Sequence, residues 1–289
     1  MAVGVITALA GYGLCVNDHA SYGLAMFCLL PLLTGFSVGA IVRRKEILAA
    51  SLITVGIFSG IFLVATGLEG IICVFMAAPF MGFGMAIGGL FGYLLIGRKR
   101  EQRRRDAMKT FLLLFAMPLI MAAAERIERP MRTDQRRETF ATTIDIDASP
   151  EKTWESLTQI PELMGEKPFL LAVGLPVPTS CSLGEVGLGS ERVCYFNQGK
   201  IVQRVSVWEP NESLGVSILE STLPGRRWLQ FIDAEYKLTR TKKGTRLTRF
   251  STIGSRLYPR WYWRGFEEWG VVSEHEYVLA NIKRIAEGE

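Results

Sequence analysis

The sequence predicts a two-part chain. An α-helical multi-span membrane domain takes residues 1–124. An α+β domain takes residues 138–289, with a curved antiparallel sheet around one long C-terminal helix. Three observations predict this. Apolar residues make up 49% of the 289, and mean hydropathy is +0.22, high for a water-soluble chain of this size. Long uncharged runs crowd the first 124 residues. The remainder shows strand-like runs separated by turn signals, then one helical pattern to the end.

Charge separates the two parts. Residues 1–124 carry ten Lys/Arg and five Asp/Glu, so the formal net charge of +5 belongs there. The rest balances at 23 of each sign. The basicity is therefore a property of membrane loops and does not indicate a nucleic-acid partner. The same arithmetic excludes a soluble single-domain enzyme, a disulfide-rich miniprotein and a disordered chain.

Three runs are long enough to span, since roughly 20 apolar residues are needed. They are Ala20–Val42, Ile47–Leu68 and Gly70–Gly97, none with a polar face. Met1–Val16 is apolar, with no basic n-region or clear cleavage site, so it does not read as a secretory signal. Ala107–Ala124 contains Pro118; it spans if Lys109 snorkels, or lies flat at the interface. The count is thus four or five spans. Arg43, Arg44 and Lys45, and the Arg98–Arg105 run, place those loops in the cytoplasm. A spanning fifth helix puts the C-terminal domain outside the cytoplasm; a flat one leaves it inside. The expected location is a bacterial inner or cell membrane, with that domain extracytoplasmic. Gly84, Gly88 and Gly92 form a tandem small-xxx-small seam for packing within the chain or for a homodimer. The span centres carry no charge, which disfavours transport.

Residues 125–137 are a charged linker broken by Pro130. Thr139–Asp147 alternates as a strand. Ser149 as N-cap, Pro150 and Glu151 start a helix that Pro161 ends, and Pro161–Met164 suggests a second short helix. Strands follow over Ser190–Phe196, Lys200–Trp208, Leu214–Thr222, Trp228–Thr239 and Thr245–Ile253. Their short turns make the sheet antiparallel. Arg260–Ala286 forms the final helix, with Tyr262, Phe266, Trp269, Val272, Leu279 and Ile282 as its apolar stripe.

Three segments carry a family resemblance. TTIDIDASPEKTWESL, KIVQRVSVWEPNESLGVSI and LYPRWYWRGFEEW resemble the START-like helix-grip (SRPBCC, polyketide cyclase/dehydrase-like) superfamily over residues 138–287. The preceding spans resemble its membrane-anchored bacterial members. The resemblance implies a cavity for a hydrophobic or amphipathic small molecule.

Catalytic chemistry is sparse. There are two histidines, His19 and His275, and no Ser-His-Asp set, CxxC or HExxH spacing. No catalytic residue, metal or cofactor is expected. The cavity candidates are Tyr195, Trp228, Phe231, Tyr236, Phe266, Trp269, His275 and Glu276. Glu276 reads as a ligand contact, a general acid/base, or a solvated carboxylate paired with Lys283 or Arg284. Tyr258, Arg260, Trp261, Tyr262 and Trp263 suit a membrane interface. Cys181 and Cys194 flank a turn and meet as a disulfide if the domain is extracytoplasmic; otherwise they are buried thiols. Two function classes result. The preferred one is a membrane-anchored module holding a hydrophobic or lipid-like molecule near the bilayer, with membrane lipids as partners. The alternative is a cyclase/dehydrase-type enzyme using cavity acids. Binding predicts an apolar lining with one or two polar anchors; catalysis predicts converging polar groups.

Overall fold

The computed structural model describes residues 2–16, 24–42, 44–66, 69–97, a few positions between 116 and 127, 136–226 and 228–288. The loop at His19, the basic residues Arg43 and Arg98–Arg105, most of the fifth apolar run and most of the linker lie outside the described residues. The chain divides into two compact units: Met1–Asp134 with Arg256–Trp263, and Gln135–Ser255 with Arg264–Glu289.

The first unit is helical. Helix α1 is Ala2–Val16. A π-helical turn, Leu24–Leu29, leads into α2, Leu30–Ile41, where Pro31 suits the first turn. Helix α3 is Lys45–Ala65, and α4 is Ile71–Gly92, continued by a π-helical end, Tyr93–Gly97. Two helices, Lys45–Ala65 and Ile71–Ile96, are long and apolar enough to cross a membrane. Their apolar side chains face outward: Ile53, Ile57, Phe58, Ile61, Phe75 and Phe83 are all more than half exposed. Helices α2 and α4 meet through glycine. A Cβ at Gly88 would strike the Leu32 carbonyl, one at Gly92 the Phe36 carbonyl, and one at Gly84 the Pro31 ring. Gly35 and Gly39 meet the α4 backbone in return. The seam expected to serve packing or a homodimer is therefore occupied within the chain, because glycine faces on both helices permit backbone approach.

The second unit carries a seven-stranded antiparallel sheet. Its strands are β1 (Arg136–Ile146), β2 (Pro178–Leu183), β3 (Glu191–Phe196), β4 (Gly199–Glu209), β5 (Ser213–Ser221), β6 (Leu229–Arg240) and β7 (Thr245–Ser255). The order is β1-β7-β6-β5-β4-β3-β2. Register shifts at Val205/Val207 in β4 and Phe231/Asp233 in β6 mark bulges, which bend strands. The sheet curls around the long helix α7, Arg260–Glu287, the arrangement of a helix-grip fold. Helix α5, Pro150–Thr158, starts as expected: the Lys152 N–H donates to Ser149 Oγ at 3.4 Å. The core between sheet and helices includes Leu157, Ile160, Val205, Leu214, Val216, Leu247, Leu279 and Ile282.

Three local expectations change. Pro161–Met164 is not helical; a short helix α6 forms at Phe169–Ala172. Strand β2 was unforeseen, because Pro178 and two serines mask its pattern; it sits at the sheet edge, where proline is tolerated. The inward face of α7 includes Glu267, Val271, Glu274, His275, Val278 and Ile282, whereas Trp269 is exposed. Leu279 and Ile282 of the expected stripe are buried as read, but the stripe missed the inward Glu267, Glu274 and His275 because they are polar.

Candidate functional site

A polar cluster lies inside the grip. Alternation along β7 points Leu247, Arg249, Ser251 and Ile253 inward. On β6 the same phase brings Tyr236, the register partner of Arg249. On β3 and β4 it brings the register partners Arg192 and Gln203. Helix α7 adds Glu274 and His275.

Arg249 and Glu274 form a two-pronged ion pair. Nη1 donates to Oε1 at 3.1 Å, and Nη2 lies 2.9 Å from Oε2. Arg192 is more isolated and only 2% exposed. Its Nη1 donates to Gln203 Oε1 at 3.4 Å and its Nη2 to the Leu157 carbonyl at 3.3 Å. Its Nε has no hydrogen-bond partner, and no carboxylate pairs with it among the described residues. The Tyr236 ring contacts both charges: its centroid is 6.0 Å from Arg192 Cζ and 5.2 Å from Arg249 Cζ. Burial pushes the Arg192 guanidinium below its ordinary range, with Arg249 acting in the same direction and Tyr236 and Glu274 opposing it. For Arg249 burial also opposes the charge, but Glu274 and Tyr236 together outweigh it and the net shift is upward.

His275 is fully buried beside this cluster. Its Nδ1 lies 3.0 Å from Thr142 Oγ1 and its Nε2 2.8 Å from Ser251 Oγ. Burial pushes it down to about 2, with Arg249 adding to the effect, so it is a neutral imidazole. A second buried carboxylate, Glu267, pairs with Arg136 and accepts from Ser255 Oγ.

The sequence-predicted residues disperse. Tyr236 is in the cluster and His275 adjoins it. Phe231 packs on Phe140, Ile253 and Val271. Trp228 and Phe266 are half-buried. Tyr195 is 46% exposed, on the opposite strand face from Arg192 and Cys194. Trp269 is also 46% exposed and stacks on Phe169 at 6.1 Å. Glu276 is exposed rather than inward, because two residues past Glu274 the helix has turned about 200°. Arg192, Gln203, Arg249 and Glu274 were missed. One signal was available: Arg249 holds the inward phase of a strand between Leu247 and Ser251.

The aromatic segment belongs to the first unit. Trp263 is buried, with its ring 4.7 Å from that of Phe27. The Tyr262 hydroxyl donates to the Met76 carbonyl, and its ring lies 5.3 Å from that of Phe80. Tyr258 is half-buried, while Arg260 and Trp261 are exposed. Cys181 and Cys194 are register partners on β2 and β3 and are joined as a disulfide. No His/Cys/Asp/Glu group suited to a metal occurs among the described residues.

No protein-family model matches the sequence, and no curated protein does. Solved structures match about half of the chain. An uncharacterised protein from Rhizobium leguminosarum is 14% identical, covers 53% of this chain and 97% of its own, and has a TM-score of 0.39. Norcoclaurine synthase from Thalictrum flavum, solved with dopamine and hydroxybenzaldehyde, is 9% identical, covers 53% and 87%, and scores 0.38. A protein from Chromobacterium violaceum is 12% identical, covers 52% and 98%, and scores 0.35. Likeness at this level carries no information about function. What the site presents is a helix-grip interior whose apolar lining is interrupted by two guanidinium groups, one paired carboxylate and a neutral histidine.

Proposed function

We propose that the chain is a membrane-anchored binding protein. Its second unit holds a hydrophobic or lipid-like small molecule between the sheet and α7, near the bilayer. The observation that carries the reading is the buried Arg192–Tyr236–Arg249–Glu274 cluster beside the apolar core of the second unit. Buried ion pairs add little to stability compared with apolar packing, so their presence here favours a ligand-orienting role. The polar groups do converge, as an enzyme would require. Yet Glu274 is clasped by Arg249, Glu267 pairs with Arg136, and His275 is far too weak a base for neutral pH. Binding is the better account of these groups.

Two long helices with outward apolar side chains support anchoring, since a bilayer covers such surfaces at no cost in water exposure. An extracytoplasmic second unit is supported by the Cys181–Cys194 disulfide, which suits an oxidising compartment.

The test is direct. The full chain is extracted in dodecyl maltoside, incubated with a total lipid extract and released for native mass spectrometry. An apolar molecule bound at about one per chain is expected, with hydrogen-exchange protection on β3, β6 and β7. Absence of any bound molecule sinks the reading. An impermeant maleimide added to intact cells labels Cys181 and Cys194 only after reduction if the domain is outside. Labelling only after lysis overturns that placement.

A further inference from the structure

The binding reading leaves the ligand's polar end open, and the buried charges address it. Arg249 has its charge paired by the two oxygens of Glu274, although its Nε, like that of Arg192, lacks a hydrogen-bond partner. Arg192 has no such carboxylate against it among the described residues. Its two acceptors, Gln203 Oε1 and the Leu157 carbonyl, are neutral and lie at 3.4 and 3.3 Å, beyond the usual hydrogen-bond distance. Two guanidinium charges and one carboxylate thus leave one uncompensated positive charge inside the grip. A buried charge without a partner is costly, and the nearby Arg249 raises that cost.

We propose, resting on that binding reading, that this interior is an anion site: Arg192, with Arg249 across the Tyr236 ring, receives the headgroup of an amphipathic ligand, a carboxylate or phosphate monoester on an apolar tail. One carboxylate, or a phosphate monoester holding one proton, cancels the excess charge. The planar guanidinium fork matches the paired oxygens of either headgroup. Val205, Leu214, Val216 and Leu247 make the core of the same unit apolar. A purely apolar ligand would leave Arg192 as costly when bound as when free.

Three probes with one tail separate the possibilities: oleate, oleyl phosphate and oleyl alcohol. Each is titrated into the full delipidated chain in dodecyl maltoside, and bound mass is read by native mass spectrometry. At least one anion is expected to bind about tenfold or more tighter than the alcohol, the scale of a charge-assisted hydrogen bond. The ranking of oleate against oleyl phosphate then tells a fatty-acid source from a phosphate one. Arg192→Met is expected to lose this preference. Should the alcohol bind as tightly as both anions, the anion site is overturned and the broader reading survives. Should none of the three bind, the broader reading falls with it. A folded Arg192→Met chain that keeps the preference removes Arg192 as the anchor. The wild-type comparison decides the headgroup question even where the variant fails to fold.

Discussion

His275 ties the stability of the second unit to pH. The imidazole is fully buried between Thr142 and Ser251, and its folded pKa falls from 6.5 to about 2. The unfolded chain therefore binds a proton that the folded chain refuses. The stability is fully present above the unfolded pKa and is lost as pH falls through 6.5 toward 2. At about 1.36 kcal/mol per unit, acidification from about pH 7 to about pH 5 costs about 2 kcal/mol. The assay is urea unfolding of the full chain in nonionic detergent, read by tryptophan emission. Of the six tryptophans, Trp154, Trp208, Trp228 and Trp269 lie in the second unit, and Trp261 and Trp263 report on the first. His275→Gln removes the titrating group and should flatten the profile over that range, whatever its effect at neutral pH. A wild-type stability that does not change between about pH 7 and pH 5 refutes the argument, as does an undiminished slope in His275→Gln.

Three further outcomes are expected. Leu279→Ala, at a side chain 1% exposed in the main core, should cost about 3 kcal/mol in the same urea assay, and a cost below about 1 kcal/mol would contradict its core placement. Gly88→Val should force α2 from α4 and lower thermal stability in detergent, whereas Gly82→Val, with open space around it, should not; equal effects would refute the glycine seam. Cys181→Ala should lower stability by about 3 kcal/mol, as expected for a short cross-linked loop, and reductant should do the same to the wild type but nothing more to the variant.

The legible part of this protein is the part governed by local rules. Ser149-Pro150-Glu151 marked a helix start, and that start is where α5 begins. The Lys242-Lys243-Gly244 turn and the alternation on either side placed β6 and β7 nearly to the residue, because hairpins are closed by neighbours in sequence. Helix α7 was visible in extent but not in orientation. Glu267, Glu274 and His275 face inward only because Arg136, Arg249, Thr142 and Ser251 await them from distant strands. Hydropathy ranks such residues as outward, since it treats each side chain as if alone in water.

By itself, the sequence determined the division into an apolar helical part and an α+β part, the order of most elements and the antiparallel sheet. Periodicity, proline, glycine and capping residues carry that information along the chain. The tertiary structure alone decided which charges are buried. Arg192 is remote in sequence from Arg249 and Glu274, and the curl of the sheet assembles them. Whether a guanidinium is a surface group or an anchor depends on partners that a linear reading does not contain.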